Sequence, residues 1–181
     1  MPDIEIVERG VTLAVRGVDE PGAIRAASFP SQQAQIEDAL ALVPVQHLGA
    51  IPEIWIGNRP ASGGGFYRNP PHIGLNRRTF DAEHNRRHLF TLLHEIGHAV
   101  DRQLHAVTQF QHRCTASGDS EPSGAEWTLY RAIAYGGRNR RADGTPAYGE
   151  HFAEGYAILL TRPSRITTAQ QRLIRTLARL A

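Results

Sequence analysis

The segment RHLFTLLHEIGHAVDRQ, Arg87 to Gln103, constrains this chain more than any other stretch. Its apolar residues Leu89, Leu92, Leu93, Ile96, Val100 and Leu104 recur at the spacing of one helix face, so the sequence predicts a helix from about Asp81 or Arg86 to about His105. On that helix His94 and His98 stand four residues apart and share a side, where both imidazoles reach a single ion. Glu95 follows His94 by about 100° of rotation, beside the histidines but out of line with them. Two imidazoles, a third ligand from elsewhere and an open position for water make a catalytic zinc site, with Glu95 as general base toward the water. The plainer alternative is two helix histidines with no ion.

A third ligand has to come from another element. YGEHFAEGYAILL, Tyr148 to Leu160, reads as a helix and offers Glu150, His151 and Glu154. Glu150 and Glu154 are one turn apart and would repel on an isolated helix. The repulsion is relieved if one carboxylate binds metal and the other accepts a hydrogen bond from a ligand histidine. Spacing alone leaves all three candidates open. Asp101, a turn beyond His98, either orients a ligand, caps the structure or is simply solvated.

Upstream, Ile4–Val7 and Val11–Val15 read as strands about the turn Glu8-Arg9-Gly10. SQQAQIEDALALVP reads as a helix capped by Ser31 and ended by Pro44. IPEIWIGN, the glycine-rich GGGFY and HIGLN form a hairpin or meander, with Ile54 and Ile56 on one face and Trp55 on the other. Either IPEIWIGN or HIGLN is expected to supply a sheet edge for a peptide substrate, with Gly57–Asn69 as a flap or a plain connection. Downstream, Ala125–Tyr135 and Thr167–Leu180 read as further helices. Strands first and helices after imply an α+β fold in one domain spanning 1–181: a small N-terminal sheet, an active-site helix and C-terminal helices.

Composition narrows the function classes. Cys114 is the only cysteine, which rules out an internal disulfide and a thiolate-built metal site. The glycine run Gly63–Gly65 lacks the lysine and hydroxyl residue of a phosphate loop. Arginines at 138, 140, 141, 162, 165, 172, 175 and 179 give a basic loop and tail within a net charge of +2. They read as a solvated face or a surface for an acidic partner or membrane, and no zinc-finger or RNA-binding motif accompanies them, so nucleic acid is not an expected partner. No apolar run is long enough for a transmembrane helix. MPDIEIVERG lacks the basic start and apolar stretch of a signal peptide, so cytoplasmic residence or export by a leaderless route is expected.

The motifs HEIGHAVD at 94–101 and EHFAEGY at 150–156 resemble the family of the anthrax lethal factor catalytic domain and the bacterial Pro-Pro endopeptidases. The likeness extends over about residues 30–162 and is strongest at these two helices. It implies a zincin-like metallopeptidase with His94, His98 and Glu150 as zinc ligands, Glu95 as base and Glu154 supporting a ligand. It also implies an oxyanion-stabilising tyrosine, for which Tyr148 and Tyr135 both qualify: the first by nearness to Glu150, the second by its Tyr-Gly pair. His151 departs from the family, where phenylalanine is more usual. The resemblance implies cleavage of a protein or peptide substrate by a toxin or effector. The alternatives are a silent zincin-fold binding module, or a zinc hydrolase acting on a non-peptide amide.

Overall fold

The computed structural model describes residues 4–18, 30–51, 53–57, 65–68, 72–76, 87–133 and 147–181. Tyr135, the arginines at 138, 140 and 141, and Gly63 and Gly64 lie outside the described residues, as does most of the expected flap. The architecture is mixed α and β. Its backbone falls into two compact units, Met1–Ala99 and Val100–Ala181.

The first unit holds a five-stranded sheet in the order β1-β2-β3-β5-β4. Strands β1 (Ile4–Glu8) and β2 (Val11–Val18) form the expected hairpin. Its two turn residues, Arg9 and Gly10, both have positive φ (46° and 82°), the geometry that matches a two-residue turn to the twist of its strands. Arg9 carries a side chain in that conformation, and its guanidinium explains why. Nη2 donates to the carbonyl of Leu40, at 2.8 Å, which also accepts the Val43 amide at 3.0 Å, and to that of Val43 just past α1 (Pro30–Leu42), so the side chain caps the C-terminal end of that helix. Helix α1 begins at Pro30, so Ser31 lies in its first turn instead of capping it.

After α1 and a short α2 (Val45–Leu48), β3 (Glu53–Gly57) pairs parallel with β2. Parallel pairing needs a crossover, and α1 with α2 supplies it. Strand β5 (His72–Asn76) is also parallel to β3, with β4 (Gly65–Arg68) antiparallel outside it. Of these three strands only β4 and β5 are antiparallel neighbours, which fits the hairpin alternative and corrects the meander. The strand order also corrects the expected substrate edge. IPEIWIGN and HIGLN are interior strands with partners on both sides, and among the described strands the edges are β1 and β4. The alternation reading holds: Ile54, Ile56, Ile73 and Leu75 are buried on one face. On the other, Trp55 stacks on His72 with ring centroids 4.1 Å apart and donates from Nε1 to Glu53.

Helix α3 (Arg87–Leu104) buries Leu92, Leu93, Ile96 and Val100 completely, as the stripe predicts. His105, in the left-handed region at φ 51°, breaks the chain into α4 (Ala106–Cys114). Asp101 caps that new helix, its Oδ1 accepting from the Val107 amide at 2.8 Å. The second unit continues with α5 (Ala125–Arg131), shorter than expected, then α6 (Tyr148–Thr161), a 3-10 turn (Pro163–Arg165) and α7 (Thr168–Leu177). Thr167 and Gln170 close a capping box at the start of α7. No helix among the described residues is long and apolar enough to cross a membrane.

Gly155 sets how closely α6 and α7 approach. A Cβ there would lie 2.8 Å from Ile174 Cδ1 and 3.1 Å from Ile133 Cγ2. Alanine improves helix propensity by about 1 kcal/mol, but overpacking a filled core costs about 1–3 kcal/mol. Gly155→Ala is therefore expected to lower stability in urea unfolding by about 1 kcal/mol. Ile174→Val removes the nearest atom, so the double variant should lose less than the sum of the single losses. Strict additivity would show that Ile174 does not limit the approach.

Candidate metal centre

Three of the expected ligands come together. His94 and His98 on α3 and Glu150 on α6 each offer one ligand atom, and these atoms all lie within 4.8 Å of one another. It is the only such group among the described residues, and all three side chains are half-buried. The two imidazoles meet edge to face with centroids 4.9 Å apart, as the four-residue spacing requires. Phe90, one turn earlier, lies 6.5 Å from the His94 ring.

Tetrahedral bonds of about 2.0–2.1 Å place ligand atoms about 3.4 Å apart, so closing each pair by at most about 1.4 Å suffices for one ion. Two neutral imidazoles and a carboxylate suit a borderline ion and leave room for water. The donor set can hold a metal ion. Glu95 lies between the two histidines in sequence and is only 5% exposed. An acid placed there loses most of its water, an arrangement that needs a compensating partner or charge.

No family model matches the chain, and no curated protein does.

The other candidates sit around α6. Glu154, one turn past Glu150 and half-buried, is outside the three-ligand group. His151 is outside it too: its ring is buried, 5.6 Å from that of Tyr130 and 6.4 Å from that of Tyr148. Its Nδ1 is buried without a hydrogen-bond partner. Burial, and then the positive charge of Arg131, push its pKa down against the opposing pull of Glu150, which favours the neutral ring. Tyr148 opens α6, and its ring meets Trp127 edge to face at 4.8 Å. Tyr148 and Glu150 are two residues apart, which separates them by about 200° around the helix. Tyr135, the other oxyanion candidate, is outside the described residues.

Sequence reading passed over Tyr130. It is fully buried in a cluster with Phe110 (5.2 Å between ring centroids) and Trp127 (5.4 Å). Its hydroxyl donates to the Tyr148 carbonyl at 2.6 Å. Burial raises the phenol's pKa well above its ordinary value, so the group remains a donor. Tyr130 therefore ties down the first turn of α6, the turn that carries Glu150. The aromatic pair at 127 and 130, spaced for one helix face, was the available signal. Tyr130→Phe is expected to cost about 1–2 kcal/mol in urea unfolding. An unchanged unfolding midpoint would mean that the hydroxyl does not hold the turn.

Proposed function

We propose that this chain is a zinc-dependent endopeptidase that hydrolyses peptide bonds within a protein substrate. What supports the reading most is the meeting of His94, His98 and Glu150 with the buried Glu95 carried between the two histidines. A structural zinc site completes four protein ligands, whereas three ligands and an adjacent carboxylate are the composition of a hydrolytic one.

In this reading the three ligands hold zinc, which when bound lowers the pKa of a water and polarises the substrate carbonyl. Glu95 takes the proton from the attacking water and delivers it to the departing amine. Its burial strengthens that proton transfer by keeping bulk water away from the carboxylate. Glu154, on the ligand helix, steadies a ligand histidine through a hydrogen bond. Tyr148 or Tyr135 donates its phenol to the charge developing on the carbonyl oxygen. The HEIGHAVD and EHFAEGY motifs, similar to those of the lethal factor and Pro-Pro endopeptidase family, favour a toxin or effector role and admit proline-directed specificity.

The test is digestion of a peptide library by the zinc-loaded chain, read by mass spectrometry, with and without chelator. Internal cleavage that chelator stops and zinc restores supports the proposal. Zinc uptake without cleavage of any peptide would make the chain a binding module. Hydrolysis confined to non-peptide amides would place it in another class of zinc hydrolase.

A further inference from the structure

The end of the chain carries a charge pattern that the metal centre does not use. All twenty basic side chains of this protein are arginines, and five of them, Arg162, Arg165, Arg172, Arg175 and Arg179, fall between Gly155 and Ala181, where there is no Asp or Glu. All five are exposed. They gather on one side of α7. Gln171 Nε2 donates to the carbonyls of Pro163 (2.9 Å) and Ile166 (3.2 Å), which lays the turn bearing Arg162 and Arg165 beside the helix. Arg172, Arg175 and Arg179 recur at three- and four-residue spacing on the exposed side of the helix next to Gln171, while Leu173, Ile174 and Leu177 bury the other side. Arg162, Arg172 and Arg179 form no ion pair with an Asp or Glu among the described residues, while Arg175 Nη1 donates to the Ala181 carboxyl oxygen at 2.9 Å.

Arg179 adds a second observation. It closes α7 in the left-handed conformation, φ 51°. The Leu180 amide donates to the Arg175 carbonyl at 2.8 Å, and the Arg179 amide to that of Thr176 at 3.1 Å. This is the helix-ending pattern whose left-handed position favours glycine. An arginine there is conformationally strained. Its side chain is exposed, so core packing does not compensate.

The surroundings select the partner. Between the arginines the exposed residues are small or polar, Ser164, Thr167, Thr168 and Thr176 among them, with Pro163. None can wedge into a bilayer or stack on a base. All eighteen acidic residues lie before Gly155 with the other fifteen arginines, leaving the rest of the chain at −3. The net positive charge is thus concentrated in one short segment, which a compact acidic patch matches in extent. Helical arginines spaced about 5–6 Å apart also match carboxylates spaced one turn apart on a partner helix. We propose that this arginine face docks an acidic protein surface.

The test uses the full chain with a fluorescent oligoglutamate peptide, read by anisotropy, against a DNA duplex and phosphatidylcholine–phosphatidylserine vesicles. Oligoglutamate should be preferred, and Arg172→Gln/Arg175→Gln/Arg179→Gln should weaken it about tenfold. Arg179→Gly alone should weaken binding while raising the melting midpoint by about 2–4 °C, because glycine relieves the strain. Tighter binding of duplex or vesicles, no oligoglutamate binding, or an unaffected triple variant would each overturn the proposal.

Discussion

Glu95→Gln is expected to slow peptide hydrolysis by about 10²–10⁴-fold while zinc stays bound at full stoichiometry. Glutamine keeps the size and one acceptor oxygen of glutamate but cannot take up the proton of an attacking water. The substitution therefore removes the base and leaves His94, His98 and Glu150 in place. Glu95 is 5% exposed, and glutamine, nearly identical in shape, keeps the packing around it. The substitution separates chemistry from metal binding: activity falls while zinc content stays. The measurement is kcat/KM on a library-derived peptide beside zinc analysis of the same preparation. A variant that loses zinc along with activity would make Glu95 part of the metal's own support. A variant with undiminished activity would remove Glu95 from the proposed reaction.

The metal group was legible because its signal is local. The four-residue spacing of His94 and His98 holds on any helix, and the stripe from Leu89 to Leu104 is strong enough to identify one. Glu150 was one of three open candidates by spacing, and only the folded chain separates it from His151, whose ring turns into the aromatic cluster beside Tyr130. The sheet was legible as strands and illegible as topology. Alternation marks Ile54 and Ile56 as buried, but it carries nothing about which strand lies beside which. The order β1-β2-β3-β5-β4 is decided by a crossover through α1 and α2, a tertiary choice. Helix α4 escaped notice for another reason. No glycine or proline marks the break before it; His105 takes the left-handed turn, and Asp101 supplies the cap from a turn upstream. Arg9 hides the same way, a charged turn residue whose role as a helix cap depends on α1 lying beside the hairpin.

Zinc should stabilise this protein strongly, and the loss of that stabilisation should rank the ligands. A ligand that binds only the native state at about a thousand times its Kd adds about 4 kcal/mol. At about 2–4 °C per kcal/mol for a chain of this size, zinc should raise the melting midpoint by about 8–16 °C over chelator-treated protein. His98→Ala and Glu150→Ala each remove one of the three grouped donors, so zinc should shift their midpoints by no more than a few degrees, about the gain left to a two-donor site. Glu154→Gln keeps all three donors and should retain most of the shift, reduced only by about the tenfold or more in affinity that an orienting hydrogen bond is worth. The comparison is independent of catalysis, since it needs no substrate and no intact Glu95. Equal midpoints with zinc and with chelator in the unmodified chain would remove the metal centre, and the peptidase reading with it. A shift that survives Glu150→Ala but vanishes in Glu154→Gln would move the third ligand one turn along α6 and leave the rest of the reading standing.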